Sequence, residues 1–265
     1  MQIPIAFFLN LLLGSALALT PDYRQTKAAD SGEVTNQINR TVQLAPGANV
    51  KIQGINGLVS IETWDGDRAE INITVRASDI AAMERRPIII EATPENSRAD
   101  SLTIRVEEDR EGRRQGGDRG WVRHEARLKL PKNVNLKVSS VNGKVDVGAI
   151  TGEVDVNSVN GGVMVAQAGT ATQLSSINGG ISVSLLRLGE GGLRVHSING
   201  GVKIGLPSET GAEIDVHSVN GGVKSDLPIT VVGEMKHGQL RGRVGDGGPP
   251  ITITSVNGGV TLQRN

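Results

Sequence analysis

Ser158-Val-Asn-Gly-Gly-Val-Met-Val165 returns as Ser176-Ile-Asn-Gly-Gly-Ile-Ser-Val183, Ser197-Ile-Asn-Gly-Gly-Val-Lys-Ile204, Ser218-Val-Asn-Gly-Gly-Val-Lys-Ser225 and Ser255-Val-Asn-Gly-Gly-Val-Thr-Leu262, after an earlier copy, Ser140-Val-Asn-Gly-Lys-Val-Asp-Val147. The asparagines of these units, Asn142, Asn160, Asn178, Asn199, Asn220 and Asn257, fall 18, 18, 21, 21 and 37 residues apart. A unit of that length holds two short strands and two turns and is too small to bury a core alone, so the units must stack on one another. The reading is a single-domain parallel β-solenoid, β-helix-like, with about 18 to 21 residues per coil.

Parity within a unit places its corner. In Glu153-Val-Asp-Val-Asn-Ser158 the apolar residues share parity with the serine, whereas Val159, Gly161, Val163 and Val165 have the opposite parity, so a bend is expected at Ser-Val. An inward serine relieves crowding there, asparagine tolerates αL, and Gly-Gly lets the next strand leave at an angle. In register, the serines (Ser140, Ser158, Ser176, Ser197, Ser218, Ser255) and asparagines stack at about 4.8 Å and hydrogen-bond along the stack. They form a structural turn ladder, in which Asn257, the last in sequence, is expected at the end of the stack.

Composition narrows the function classes. The 28 basic and 28 acidic side chains cancel, which removes the electrostatic footprint of a nucleic-acid binder. Cysteine is absent, excluding disulfides, thiolate metal sites and cysteine nucleophiles. No cofactor is expected. Met1 to Ala18 is an apolar run ending in Ala16-Leu17-Ala18, the small-x-small pattern of a signal peptidase site, which predicts export. No later stretch approaches the ~20 apolar residues of a membrane-spanning helix.

Residues 19–40 are polar and aperiodic and read as a flexible leader. From Thr41 period-two strands begin, punctuated by Ala45-Pro46-Gly47, Asn56-Gly57 and Asp65-Gly66-Asp67, and Ile55-Asn56-Gly57 is an isolated first copy of the motif. Ile80 to Arg86 allows one or two helical turns before Pro87. Between Arg105 and Arg127 the charge density peaks in a glycine-broken run that reads as a solvated hairpin loop, with Trp121 at its exit packing over the end of the stack.

Candidate chemistry is sparse. Asp146, Asp155 and Asp215 point outward on separate coils without the convergent partner that glycoside cleavage needs. There is no Walker loop and no nucleophile elbow. His196 and His217 hold the same place in consecutive coils and are expected to be neighbours. The flanking Arg194 and Asp215 pair with each other rather than complete a metal site, which wants three or four ligands.

Val42-Gln-Leu-Ala-Pro-Gly47, Ile55-Asn-Gly-Leu-Val-Ser-Ile-Glu-Thr-Trp-Asp-Gly66, the six repeats and the closing Leu240 to Leu262 segment come in an order that resembles the bacterial putative-adhesin family, exported β-solenoid proteins related to the head GIN domains. The resemblance covers nearly the whole mature chain. It implies a parallel β-helix-like fold and an extracytoplasmic location, periplasmic, cell-surface or secreted, and transfers no catalytic residues.

The expected organisation is therefore a signal peptide at 1–18, a leader at 19–40 and one domain at 41–265. Within it, 41–130 supplies a strand-rich N-terminal cap with the charged loop, and 131–265 the coils. The expected function is a non-catalytic adhesin-like module binding an envelope or surface protein or other macromolecule, as a monomer. The alternatives are a polysaccharide-active β-helix enzyme and a self-assembling envelope scaffold.

Overall fold

The computed structural model describes residues 24–25, 33–95, 97–107, 120–232 and 238–265. The expected signal peptide and most of the charged segment lie outside the described residues. The first half of the chain contains β1 (Arg24–Gln25), β2 (Val34–Ile55), β3 (Gly57–Trp64), β4 (Arg68–Ala77), α1 (Ile80–Glu84), β5 (Ile88–Thr93), β6 (Ala99–Val106), β7 (Val122–Pro131), β8 (Asn135–Asn142) and β9 (Val145–Asn160). The second half contains β10 (Val163–Thr170), β11 (Gln173–Asn178), β12 (Ile181–Leu185), β13 (Leu193–Asn199), β14 (Val202–Leu206), β15 (Ala212–Asn220), β16 (Val223–Ser225), β17 (Ile229–Val231), β18 (Gln239–Val244), β19 (Pro250–Asn257) and β20 (Val260–Arg264). Strand pairing thus starts inside the stretch read as leader, with β1 antiparallel to β2 through Arg24 with Gln37 and Gln25 with Asn36, and with β2 itself opening at Val34. The short α1 is capped by Asp79, whose Oδ1 accepts from the Ala82 N–H at 2.7 Å. No helix among the described residues is long and apolar enough to cross a membrane.

The fold is all-β, but it is not the expected parallel β-solenoid. Six strands close into a barrel of mixed orientation. β2 runs antiparallel to β4, and β4 antiparallel to β7. Parallel pairs then lead from β7 to β3, to β9, to β8 and back to β2. The physical reason lies in the non-repeated N-terminal third. Its period-two strands bury one face whichever way they pair, and the Asp65–Asp67 turn returns β4 against β7 and β2 instead of passing it to a parallel rung.

Closure depends on two long strands that each serve both sheets. β2 breaks its in-out alternation at Ala45-Pro46-Gly47, where Gly47 has φ +78° and the register with β6 shifts. β9 crosses at Gly148 to Gly152; a Cβ on Gly152 would collide with the Val134 carbonyl.

The remaining strands lie outside the barrel. One sheet continues in parallel from β9 through β10, β12, β14 and β20 to β16. The other continues from β9 through β11, β13 and β19 to β15, and is then finished by antiparallel β18 and β17. Chain order and spatial order therefore differ: the last rung, β19 and β20, is inserted between the two rungs that precede it. Each rung sends Val, Ile or Leu inward, as with Leu174, Val195, Ile253 and Val216 on one side and Ile181, Ile204 and Leu262 on the other.

The corner of each unit sits later than parity implied. Ser158 is buried, Val159 is 39% exposed, and Val163 is buried again, so the chain turns at Asn-Gly-Gly rather than at Ser-Val. The two glycines differ in what they do. A Cβ on the first, at Gly161, Gly179, Gly200, Gly258 or Gly221, would overlap backbone of the adjoining rung. On the second, at Gly162, Gly180, Gly201 or Gly259, its closest approach is 3.2–3.5 Å, at Gly222 nothing lies within 4 Å, and in the first unit Lys144 occupies that place.

Gly221→Ala is accordingly expected to cost about 1–3 kcal/mol through forced separation of the rungs, and Gly222→Ala no more than about 0.5 kcal/mol. Thermal melts of the two variants check this; equal losses would contradict the steric assignment.

Candidate functional site

The corners place seven asparagines in one exposed row. Each Nδ2 donates to the Oδ1 of the next: Asn142 to Asn56 (2.6 Å), Asn160 to Asn142 (2.7 Å), Asn178 to Asn160 (2.7 Å), Asn199 to Asn178 (2.8 Å), Asn257 to Asn199 (2.8 Å) and Asn220 to Asn257 (2.9 Å). All amides point the same way. At one end Asn56 Nδ2 donates to the Val122 carbonyl at 2.7 Å. At the other end stands Asn220, because Asn257 sits between Asn199 and Asn220 instead of at the terminus. Among the described residues only glycines have positive φ, so the asparagines act through their amides and not through αL backbone.

The motif serines are all buried. Ser140 donates to the Ile55 carbonyl, Ser176 to that of Gly161, Ser197 to that of Gly200, and Ser218 and Ser255 both to that of Gly258, at 2.9–3.2 Å. Ser158 Oγ has no hydrogen-bond partner among the described residues.

The residues considered for chemistry are dispersed. His196 and His217 are both in register with Thr254, which separates them by one rung, so they are not neighbours. Arg194 and Asp215 are likewise held apart by Thr252, and Asp215 pairs with Arg241 at 2.9 Å. Asp146 is bound by Lys144 at 2.7 Å, and Asp155 accepts the N–H of Gln173 at 3.0 Å with Lys137 at 3.9 Å. Among the described residues no group of three or more His, Asp or Glu side chains converges as a metal site would.

Two concavities accompany the asparagine row. One, of about 390 Å³, runs over the second glycines, with Gly162, Gly180, Gly201 and Gly259 as floor beside Met164 and Lys203. The other, of about 500 Å³, lies where the row meets the barrel and is lined by Asn56, Gly57, Leu58, Thr74, Arg76, Arg123, His124, Glu125 and Asn142.

His124 was missed in the sequence. β7 alternates Val122, His124, Ala126, Leu128 and Leu130 inward, so period two alone places this imidazole on the apolar face. It is 3% exposed. Nδ1 accepts the Asn56 N–H at 3.1 Å, which leaves the proton of the neutral ring on Nε2, an atom without a partner among the described residues. Burial, helped by the nearby Arg86 charge, lowers its pKa to about 4. Trp121 is 44% exposed, with the Arg123 guanidinium 5.8 Å from its ring centroid.

No family model and no curated protein matches the chain. Among solved structures it is similar to a putative cell adhesion protein from Clostridium sporogenes, 14% identical over 87% of this chain and 100% of that one, TM-score 0.46. It is also similar to a putative adhesin from Bacteroides fragilis, 11% identical over 86% and 97% of the two chains, TM-score 0.30. A putative lipid binding protein from Parabacteroides distasonis is 11% identical over 86% and 96%, TM-score 0.28.

Two outcomes are expected. Asn178→Ala, Asn199→Ala and Asn257→Ala each remove an amide that both donates and accepts within the row, a loss of about 1–2 kcal/mol at roughly 1 kcal/mol per hydrogen bond, while Asn220→Ala loses about half of that. Melting temperatures that rank Asn257 with the terminal rung would refute this order.

For His124 the folded pKa lies below the unfolded 6.5, so the unfolded chain binds the extra proton and stability falls as pH drops from about 6.5 toward about 4. The change is on the order of 3 kcal/mol by linkage. Denaturation of wild type and His124→Gln at pH 7.5 and pH 4.5 should show the wild type losing more; parallel losses would deny the imidazole this role.

Proposed function

We propose that the protein is an exported, non-catalytic binding module that attaches to a macromolecule of the bacterial envelope or surface. The observation that carries this reading is the state of the three aspartates weighed for glycan cleavage. Asp146, Asp155 and Asp215 are each occupied by a cation or backbone N–H, and the larger concavity gathers two arginines and two amides instead of a pair of acids. Acid-base cleavage of a glycan needs a free pair at defined separation, whereas rows of exposed amides and guanidiniums are groups that recognise without turning over. A chain with 28 charges of each sign is not drawn to nucleic acid. Monomeric use is favoured because β18 and β17 cover the growing edge of one sheet and the Val122 carbonyl ends the amide row.

The test is in two parts. The purified protein should co-sediment saturably with isolated bacterial envelopes, and it should leave a panel of uronate and neutral polysaccharides intact. Glycan cleavage abolished by Asp155→Asn or Asp215→Asn would replace the module with an enzyme, and failure to saturate any envelope preparation would remove the binding role.

A further inference from the structure

Arg76 and Arg123 stand directly opposite each other where β4 meets β7. Like charges in that position destabilise a sheet, and among the described residues the relief around them is slight. Arg76 has Glu33 at 4.0 Å, with its own side chain 58% exposed. Arg123 lies over Trp121, which offers a π face but no counter-charge. The next outward row pairs Thr74 with Glu125, and the Glu125 carboxylate is already held by Arg127 at 2.5 Å.

Both arginines line the concavity of about 500 Å³ at the head of the asparagine row. Gly57 contributes backbone to its wall and packs so closely on β7 that a Cβ there would collide with the His124 carbonyl. Asn56 and Asn142 each donate one Nδ2 hydrogen bond, to the Val122 carbonyl and to Asn56 Oδ1, and an amide carries two N–H groups. The neutral imidazole of His124 adds neither charge nor counter-charge.

We propose that this concavity is an oxyanion site, in which a phosphate or carboxylate group bridges Arg76 and Arg123. A guanidinium presents a planar fork that matches two oxygens of such a group. An anion between the pair turns a repulsive contact into two attractive ones, while the amides of Asn56 and Asn142 supply neutral donors at its edge. Glu125 sets a limit on charge, since an anion entering the site meets a carboxylate that, among the described residues, Arg127 alone compensates. The biological use of the site rests on the binding-module reading, with the oxyanion carried by the envelope partner, but the two stand or fall by different measurements.

The purified protein is titrated with inorganic phosphate, with free glucuronate, and with phosphatidylglycerol vesicles against phosphatidylcholine vesicles, at fixed ionic strength. Calorimetry and tryptophan fluorescence follow binding, the latter because Trp121 lies against Arg123. Saturable binding of at least one anionic probe is expected, weakened at least tenfold in Arg76→Ala and in Arg123→Ala, partly kept in Arg76→Lys, and tightened in Glu125→Gln. Response to phosphate or glucuronate identifies a free oxyanion as sufficient; response to the anionic vesicles alone identifies a headgroup as its source.

Melting of Arg76→Ala should be unchanged or raised, since it relieves repulsion; a marked fall would assign the arginine to structure instead. No saturation with any probe into the millimolar range, or variants that bind like wild type, would overturn the site. Envelope binding without anion binding would remove the site and leave the module, and anion binding without envelope binding would do the reverse.

Discussion

β2 and β9 each hydrogen-bond in both sheets, and the placement of every other strand follows from that sharing. A strand can pass from one sheet to another only where its in-out alternation is interrupted, and both do so at glycine-containing bends, Ala45-Pro46-Gly47 and Gly148 to Gly152. With those two corners set, β4, β7 and β3 bridge from β2 to β9 on one side and β8 bridges them on the other, closing the barrel. β9 then serves as the template on which the outer parallel rungs add in both sheets.

Propagation along those rungs is governed by close backbone approach. The first glycine of each motif lies against the backbone of the neighbouring rung, a distance that no Cβ permits. That contact holds the corners in line, and the aligned corners in turn bring successive amides to 2.6–2.9 Å. The one-way sense of the amide row is a consequence of one donor and one acceptor being spent at each step. It gives the row two unlike ends: one closed on the Val122 carbonyl beside His124, the other at Asn220. The concavity with Arg76 and Arg123 occurs at the closed end because there the repeat meets strands that do not share its spacing.

Much of the candidate site was legible in outline and displaced in detail. The asparagines and serines were identifiable from repetition alone, since an identical residue at an identical place in a stacked unit must face its own kind. Sequence alone predicts contact between His196 and His217, and between Arg194 and Asp215, because units adjacent in the chain are by default adjacent in a stack. Insertion of β19 between β13 and β15 separates both pairs with Thr254 and Thr252. The 37-residue interval before Asn257 was the trace of that rearrangement, but interval length does not say on which side of a rung the chain returns. Arg76 and Arg123 are 47 residues apart, a separation at which only strand pairing can oppose them.

What the sequence determined by itself is local and periodic: period-two strands from Thr41 onward, a corner in each unit, expected at Ser-Val and found just after it at Asn-Gly-Gly, a short helix near Ile80, and inward aliphatic sets that make the chain all-β. These follow from steric and hydrophobic preferences that act over a few residues. Strand order and strand direction were decided only by the tertiary structure. An amphipathic strand buries the same face whether its neighbour runs parallel or antiparallel, so hydrophobic pattern is silent on both. The closed barrel, the inserted last rung and the opposed arginines all depend on that choice, which is made by long-range pairing and not by any residue's own preference.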